Sequence, residues 1–130
     1  MERALILLFN HHLTPDQEQD ARRKLGIAKV VEPPKALREL WANVPPELLK
    51  LSVYLDPLKE WLAAHALPGD YVLIQGDFGA THLMVKFAFE KGFIPIYSTT
   101  EREATEELQA DGSVRLSHRF LHKRFRKYGV

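Results

Sequence analysis

No cysteine occurs among the 130 residues, so neither a disulfide nor a thiolate metal site can contribute to stability or chemistry. A reducing, cytoplasmic compartment is the one this composition fits. No apolar run approaches the ~20 residues that a membrane-spanning helix needs. The run Ala4-Leu5-Ile6-Leu7-Leu8-Phe9 is too short, and it lacks the basic flank and small-residue cleavage site of a signal peptide. Acidic residues are missing from Ser113 to Val130, a stretch that holds six basic residues and two histidines. The rest of the chain then carries 12 basic and 17 acidic residues, so a basic segment is joined to a body of net charge −5. Such a split suggests one local anion-facing surface, or else a solvated basic tail. No internal repeat and no low-complexity linker is present.

What is present suits one domain with one core, expected over residues 1–130, with 45% hydrophobic residues. Arg3 to Phe9 reads as a first strand covered on both faces. Thr14-Pro15-Asp16-Gln17 combines an N-cap, a proline at the first helical position and a capping-box glutamine. That helix should reach about Leu25 and stop at Gly26, before a second strand over Ile27 to Val31. Leu37, Leu40 and Trp41 share a helical face. Pro45-Pro46 breaks that helix, and Leu48, Leu49, Leu51 and Val53 suggest another. Asp56-Pro57 starts a third, with Leu58, Trp61 and Leu62 at helical spacing.

After the turn Pro68-Gly69-Asp70, Tyr71 to Gln75 reads as a strand and Ala80 to Lys91 as a helix. A fourth strand is expected over Phe93 to Tyr97, and a helix over Glu101 to Ala110. Val114, Leu116, His118 and Phe120 alternate with Arg115, Ser117 and Arg119, as in a half-buried strand. Beyond Leu121 the pattern also fits a helical face through Phe125 and Tyr128. Strands alternating with helices predict an α/β fold: a Rossmann-like, mostly parallel sheet flanked by helices, with a basic C-terminal strand segment.

In such sheets ligands bind beyond the carboxyl ends of the strands. Three polar stretches follow predicted strands: Asn10-His11-His12, then Gln75-Gly76-Asp77-Phe78-Gly79-Ala80-Thr81, and Ser98-Thr99-Thr100 with Arg102. The second has two glycines three apart beside a helix start, a pattern that allows phosphate binding by free amides and equally a ligand-free turn. It matches neither a Walker loop nor the dinucleotide fingerprint. Asp77-Phe78-Gly79 is a string also found in protein kinases, but the chain lacks their other motifs. Ser98, Thr99 and Thr100 offer hydroxyls and Arg102 a fork for phosphate, while Thr100 with Glu103 also fits a helix cap. His11 and His12 lack the carboxylate–histidine company of a metal site, so no metal and no cofactor is expected. His118 and His122, four apart in basic surroundings, favour anion contact. His65, His82, Trp41 and Trp61 look structural.

Leu8–Thr14, Gly69–Thr81, Pro95–Arg102 and Phe120–Tyr128 together resemble a small CRISPR-associated protein family of the Csx type. The resemblance covers nearly the whole chain. It implies a minimal CARF-like domain, a homodimer, and a ring nuclease that degrades cyclic oligoadenylate, a small cyclic RNA, to switch off type III CRISPR antiviral signalling. The family pattern has a polar residue, often serine, where Asn10 stands; asparagine keeps the hydrogen bonds but is no nucleophile. The implied chemistry needs none, because the ribose 2′-OH attacks its own phosphate, without metal.

On that reading His11, Thr100, Arg102 and His122 carry the catalysis. Asn10, Gln75, Gly76, Asp77, Phe78, Gly79, Ala80, Thr81, Ser98, Thr99 and Arg126 bind the ligand, expected to be a tetra-adenylate ring from its two-fold match to a dimer. The alternatives are a sensor or sponge module that holds the ring without cutting it, and a nucleic-acid binder using the basic segment. The acidic body argues against stable binding to duplex nucleic acid.

Overall fold

A computed structural model describes residues 2–130. Five strands form one sheet in the order β2-β1-β3-β4-β5. They are β1 (Arg3–Leu8), β2 (Ile27–Val31), β3 (Tyr71–Ile74), β4 (Ile94–Leu108) and β5 (Val114–Lys127). The first four run parallel, and β5 returns antiparallel beside β4. The α/β class and the mostly parallel sheet expected from the alternation are therefore present.

Four helices connect the parallel strands: α1 (Pro15–Asp20), α2 (Lys35–Ala42), α3 (Asp56–His65) and α4 (Phe78–Glu90). The capping box at Thr14 is formed, its Oγ1 accepting the Gln17 amide at 3.2 Å while the Gln17 side chain accepts the Thr14 amide at 3.0 Å. Helix α1 then widens into a π turn over Ala21–Leu25 and stops at Gly26, whose φ of 66° suits glycine alone at no steric cost.

All four residues of β3 are buried, as a strand covered on both faces requires. Period-two alternation sends Ile6, Leu8, Val72 and Ile74 to one face, where Trp41, Leu58, Leu62 and Met84 of α2, α3 and α4 meet them. Leu5, Leu7, Leu73 and Ile96 line the other, against Ala21 and Phe125. Asp70 ties the lower end together by accepting the amides of Ala4 at 3.0 Å and Leu67 at 2.9 Å.

Two helical expectations are corrected. Leu48, Leu49, Leu51 and Val53 lie in a chain of turns, with Leu49 and Val53 exposed. Prolines 45 and 46 supply no amide donors there, and Tyr54 uses its hydroxyl to satisfy the Leu40 and Asn43 carbonyls at the end of α2. Residues 101–108 of the expected Glu101–Ala110 helix instead continue β4, so Thr100 and Glu103 form no capping box. Glutamate and alanine favour helix locally, but β5 brings a basic strand alongside, matching Glu103 with Arg119 and Glu107 with Arg115. β5 also extends to Lys127, not into a helix. A bulge between Thr99 and Thr100 keeps both His122 and Phe125 on one face, which hides the strand period beyond Leu121.

Candidate functional site

Strand order reverses between β1 and β3, and the chain leaving both strands lies at one edge of the sheet. The Gln75 amide donates to the Leu8 carbonyl at 3.0 Å, closing the last rung. Its side-chain oxygen accepts the Ser98 amide at 2.8 Å, so β4 is stitched to the same edge. Asn10, His11, the Gln75–Gly79 turn and Ser98 are thus neighbours along one rim. Ser98–Thr100, expected as an exit loop, is continuous strand.

The glycine loop has structural duties of its own. A Cβ on Gly76 would sit 2.9 Å from the Trp41 indole, which donates to the Gln75 carbonyl at 3.0 Å. A Cβ on Gly79 would come within 3.3 Å of Leu51. Both glycines admit protein side chains at these points. Asp77 caps α4, its carboxylate accepting the Ala80 amide at 3.0 Å and its carbonyl accepting the Thr81 amide at 2.8 Å. The Phe78 ring is 95% exposed on this rim, whereas the Thr81 hydroxyl is buried without a hydrogen-bond partner among the described residues.

Asn10 and His11 border an open cavity of about 310 Å³ that Glu32, Pro33 and Arg38 also line. Neither the Gly76–Thr81 loop nor the Ser98–Arg102 segment lines it. His12 is paired with Glu32 at 2.7 Å, while the exposed His11 imidazole rests edge-on against Phe9. Arg38 is a cation on the cavity wall that the sequence reading passed over, because one arginine on an amphipathic helix carries no local signal.

His122 is held in a relay. Its Nε2 lies 2.8 Å from the Asp20 carboxylate and its Nδ1 2.5 Å from Ser98 Oγ, which also accepts from the Gln17 amide group at 3.4 Å. A carboxylate only accepts, so this network assigns the imidazole proton to Nε2 and makes Nδ1 the acceptor of the Ser98 hydroxyl. Burial pushes the Asp20 pKa up, but hydrogen bonds from His122 and Lys24 and the Lys24 charge outweigh it and hold the carboxyl below its ordinary value. The sequence shows Gln17 as a helix cap but gives no sign that it and Asp20 meet His122, since Asp20 and His122 stand 102 residues apart. The anion that His122 meets within the chain is the Asp20 carboxylate.

Thr100 stands opposite His122 in the β4–β5 register, whereas Thr99, Arg102 and Arg126 are not gathered with that relay. Thr99 Oγ1 bonds the Arg124 backbone, and Arg126 donates to the Tyr97 hydroxyl at 3.2 Å. Arg102 stands four residues beyond Ser98, about 13 Å along an extended strand, and donates to His118 Nδ1 at 3.2 Å.

A family model described as the uncharacterized protein MJ1673 family matches residues 3–126. The chain belongs to the MJ1673 family. Uncharacterized protein MJ1673 of Methanocaldococcus jannaschii is 52% identical over 124 residues, covering 95% of either chain. The match to the MJ1673 family takes in the rim, the relay and the β4–β5 hairpin up to Arg126. No solved structure matches the chain. Among the described residues of this MJ1673-family chain, no helix is long and apolar enough to cross a membrane, and no cluster of three or more His, Asp or Glu could hold a metal ion.

Proposed function

We propose that the protein binds a cyclic oligoadenylate at the rim of β1, β3 and β4 and cuts it without metal, as a CARF-like, Rossmann-like ring nuclease. The observation that supports this best is the exposed His11 imidazole beside Asn10 and the cavity they border, at the carboxyl ends of β1 and β2 in an α/β sheet. In the proposed step His11 takes the proton of a ribose 2′-OH as its oxygen bonds to the adjacent phosphorus. The P–O5′ bond breaks, and the leaving oxygen gains a proton from solvent. The product is a linear oligoadenylate ending in 2′,3′-cyclic phosphate. Arg38 and Lys35 on the cavity wall supply positive charge for the phosphate oxygens, and the exposed Phe78 ring offers an adenine a stacking surface.

A second reading, binding without cutting, is favoured by the state of the other candidates. Both nitrogens of His122 are engaged, and Ser98 is only 8% exposed. Of the residues named above as catalytic, His11 is then the imidazole left free to move a proton. The two readings part when the protein is incubated with cyclic tetra-adenylate in excess chelator and the products are separated by chromatography. The nuclease reading expects linear product; an intact ring with saturable binding supports the module that only holds it. An intact ring with no binding overturns both.

A further inference from the structure

The outer hairpin formed by β4 and β5 has one face that no other part of the chain covers. Every residue from Thr100 to Leu108 is exposed. On the wet face the register pairs Glu103 with Arg119 and Glu107 with Arg115, and Lys123 reaches Glu101 at 2.6 Å. The other face carries the exposed apolar residues, Phe120 at 68%, Leu116 at 57%, Val114 at 59% and Leu108 at 80%, among Arg102, Ala104, Glu106 and His118. A two-stranded ribbon is marginal in water by itself, and this pattern is that of a sheet with one side packed.

The residues on that face are arranged about a centre. Ala104 of β4 stands opposite His118 of β5. Two residues to either side of Ala104 stand Arg102 and Glu106, and two to either side of His118 stand Phe120 and Leu116. A two-fold axis lying across the ribbon at Ala104 would therefore place Arg102 over Glu106 of a second copy, and Glu106 over its Arg102. The same operation sets Phe120 over Leu116, with Ala104 and His118 each meeting its own copy at the crossing. Among the described residues neither Arg102 nor Glu106 has an ion-pair partner on its own chain. Charges brought into a dry contact need partners, and an isologous contact supplies both at once.

From this self-complementarity we infer that the apolar face of the β4–β5 hairpin docks face to face on the same surface of a second copy of the chain, antiparallel, with reciprocal Arg102–Glu106 pairs. The inference is independent of the proposed ring chemistry.

Sedimentation of the wild-type protein over a concentration series should show a monomer–dimer equilibrium. Arg102→Glu opposes two carboxylates, and Glu106→Arg opposes two guanidinium groups. Each should raise the dimer Kd about tenfold or more, with the far-UV circular dichroism unchanged. An equal mixture of these two variants should form a heterodimer, because every pair across the axis is again opposite in charge. The doubly exchanged R102E/E106R chain should recover the homodimer. As a variant that leaves both charges in place, Ala104→Cys in this cysteine-free chain should link to its copy through a short bis-maleimide, whereas Glu103→Cys on the wet face should not. A wild-type chain that stays monomeric overturns the inference. So do single variants that dimerise like wild type, a mixture that does not restore association, or equal crosslinking from positions 103 and 104.

Discussion

At the scale of single residues, three side chains carry separable tests. Gly76→Ala puts a methyl group 2.9 Å from the Trp41 ring. Overpacking of this kind costs about 1–3 kcal/mol, so the denaturation midpoint should fall and the tryptophan emission should shift. Asp20→Asn removes the carboxylate that orders His122 and should cost about 1–3 kcal/mol at neutral pH by leaving a buried donor poorly matched. Because the folded-state pKa of Asp20 lies below 3.8, its contribution is fully present above that value. The gap between wild type and variant should close as pH falls through the folded-state value, which urea unfolding across an acid pH series will show. His11→Ala tests the chemistry, with cleavage expected to fall by about 10²–10⁴-fold while ring binding changes far less. Equal loss of binding and cleavage would make His11 a ligand contact, not a proton carrier.

At the scale of elements, the start of α4 and the β4–β5 hairpin behave differently from their local sequences. Asp77 looked like a ligand contact, yet its carboxylate caps the Ala80 amide. Asp77→Ala should therefore lower stability by about 0.5–2 kcal/mol, read from thermal unfolding, with ligand affinity changed only in proportion to the folded fraction. The hairpin is the reverse case. Its β4 half is built from good helix formers and becomes strand only because β5 offers matching basic residues and a continuous backbone ladder. Tyr128 anchors the far end of β5, donating its hydroxyl to the Ile74 carbonyl at 2.5 Å. Burial raises the pKa of that phenol, so the anchor persists well into alkaline pH and is lost only above the ordinary tyrosine range.

For the molecule as a whole, the hydrophobic packing is confined to the two faces of the sheet inside Phe125 and Ile96, and the outer hairpin adds none. Replacing residues 103–119 by a tight Asn-Gly turn should then leave the cooperative unfolding of the core intact. It should also abolish self-association, as sedimentation would register. Loss of the folded core on this truncation would show that the hairpin is part of the domain's stability and not an appended arm.

Residue order alone determined the parallel strands, the Thr14 cap, the Gly26 stop and the α/β class, because period, capping and turn chemistry act over a few neighbouring positions. The alternation of Val114 to Phe120 likewise announced β5. Only the tertiary structure decided that Glu101–Leu108 is strand, that Gly76 makes room for Trp41, and that Asp20, His122 and Ser98 meet. Each depends on a partner distant in the chain, and local propensity holds no record of what a fold will bring alongside. The candidate rim was legible as strand exits, but which of its polar groups remain free was set by packing.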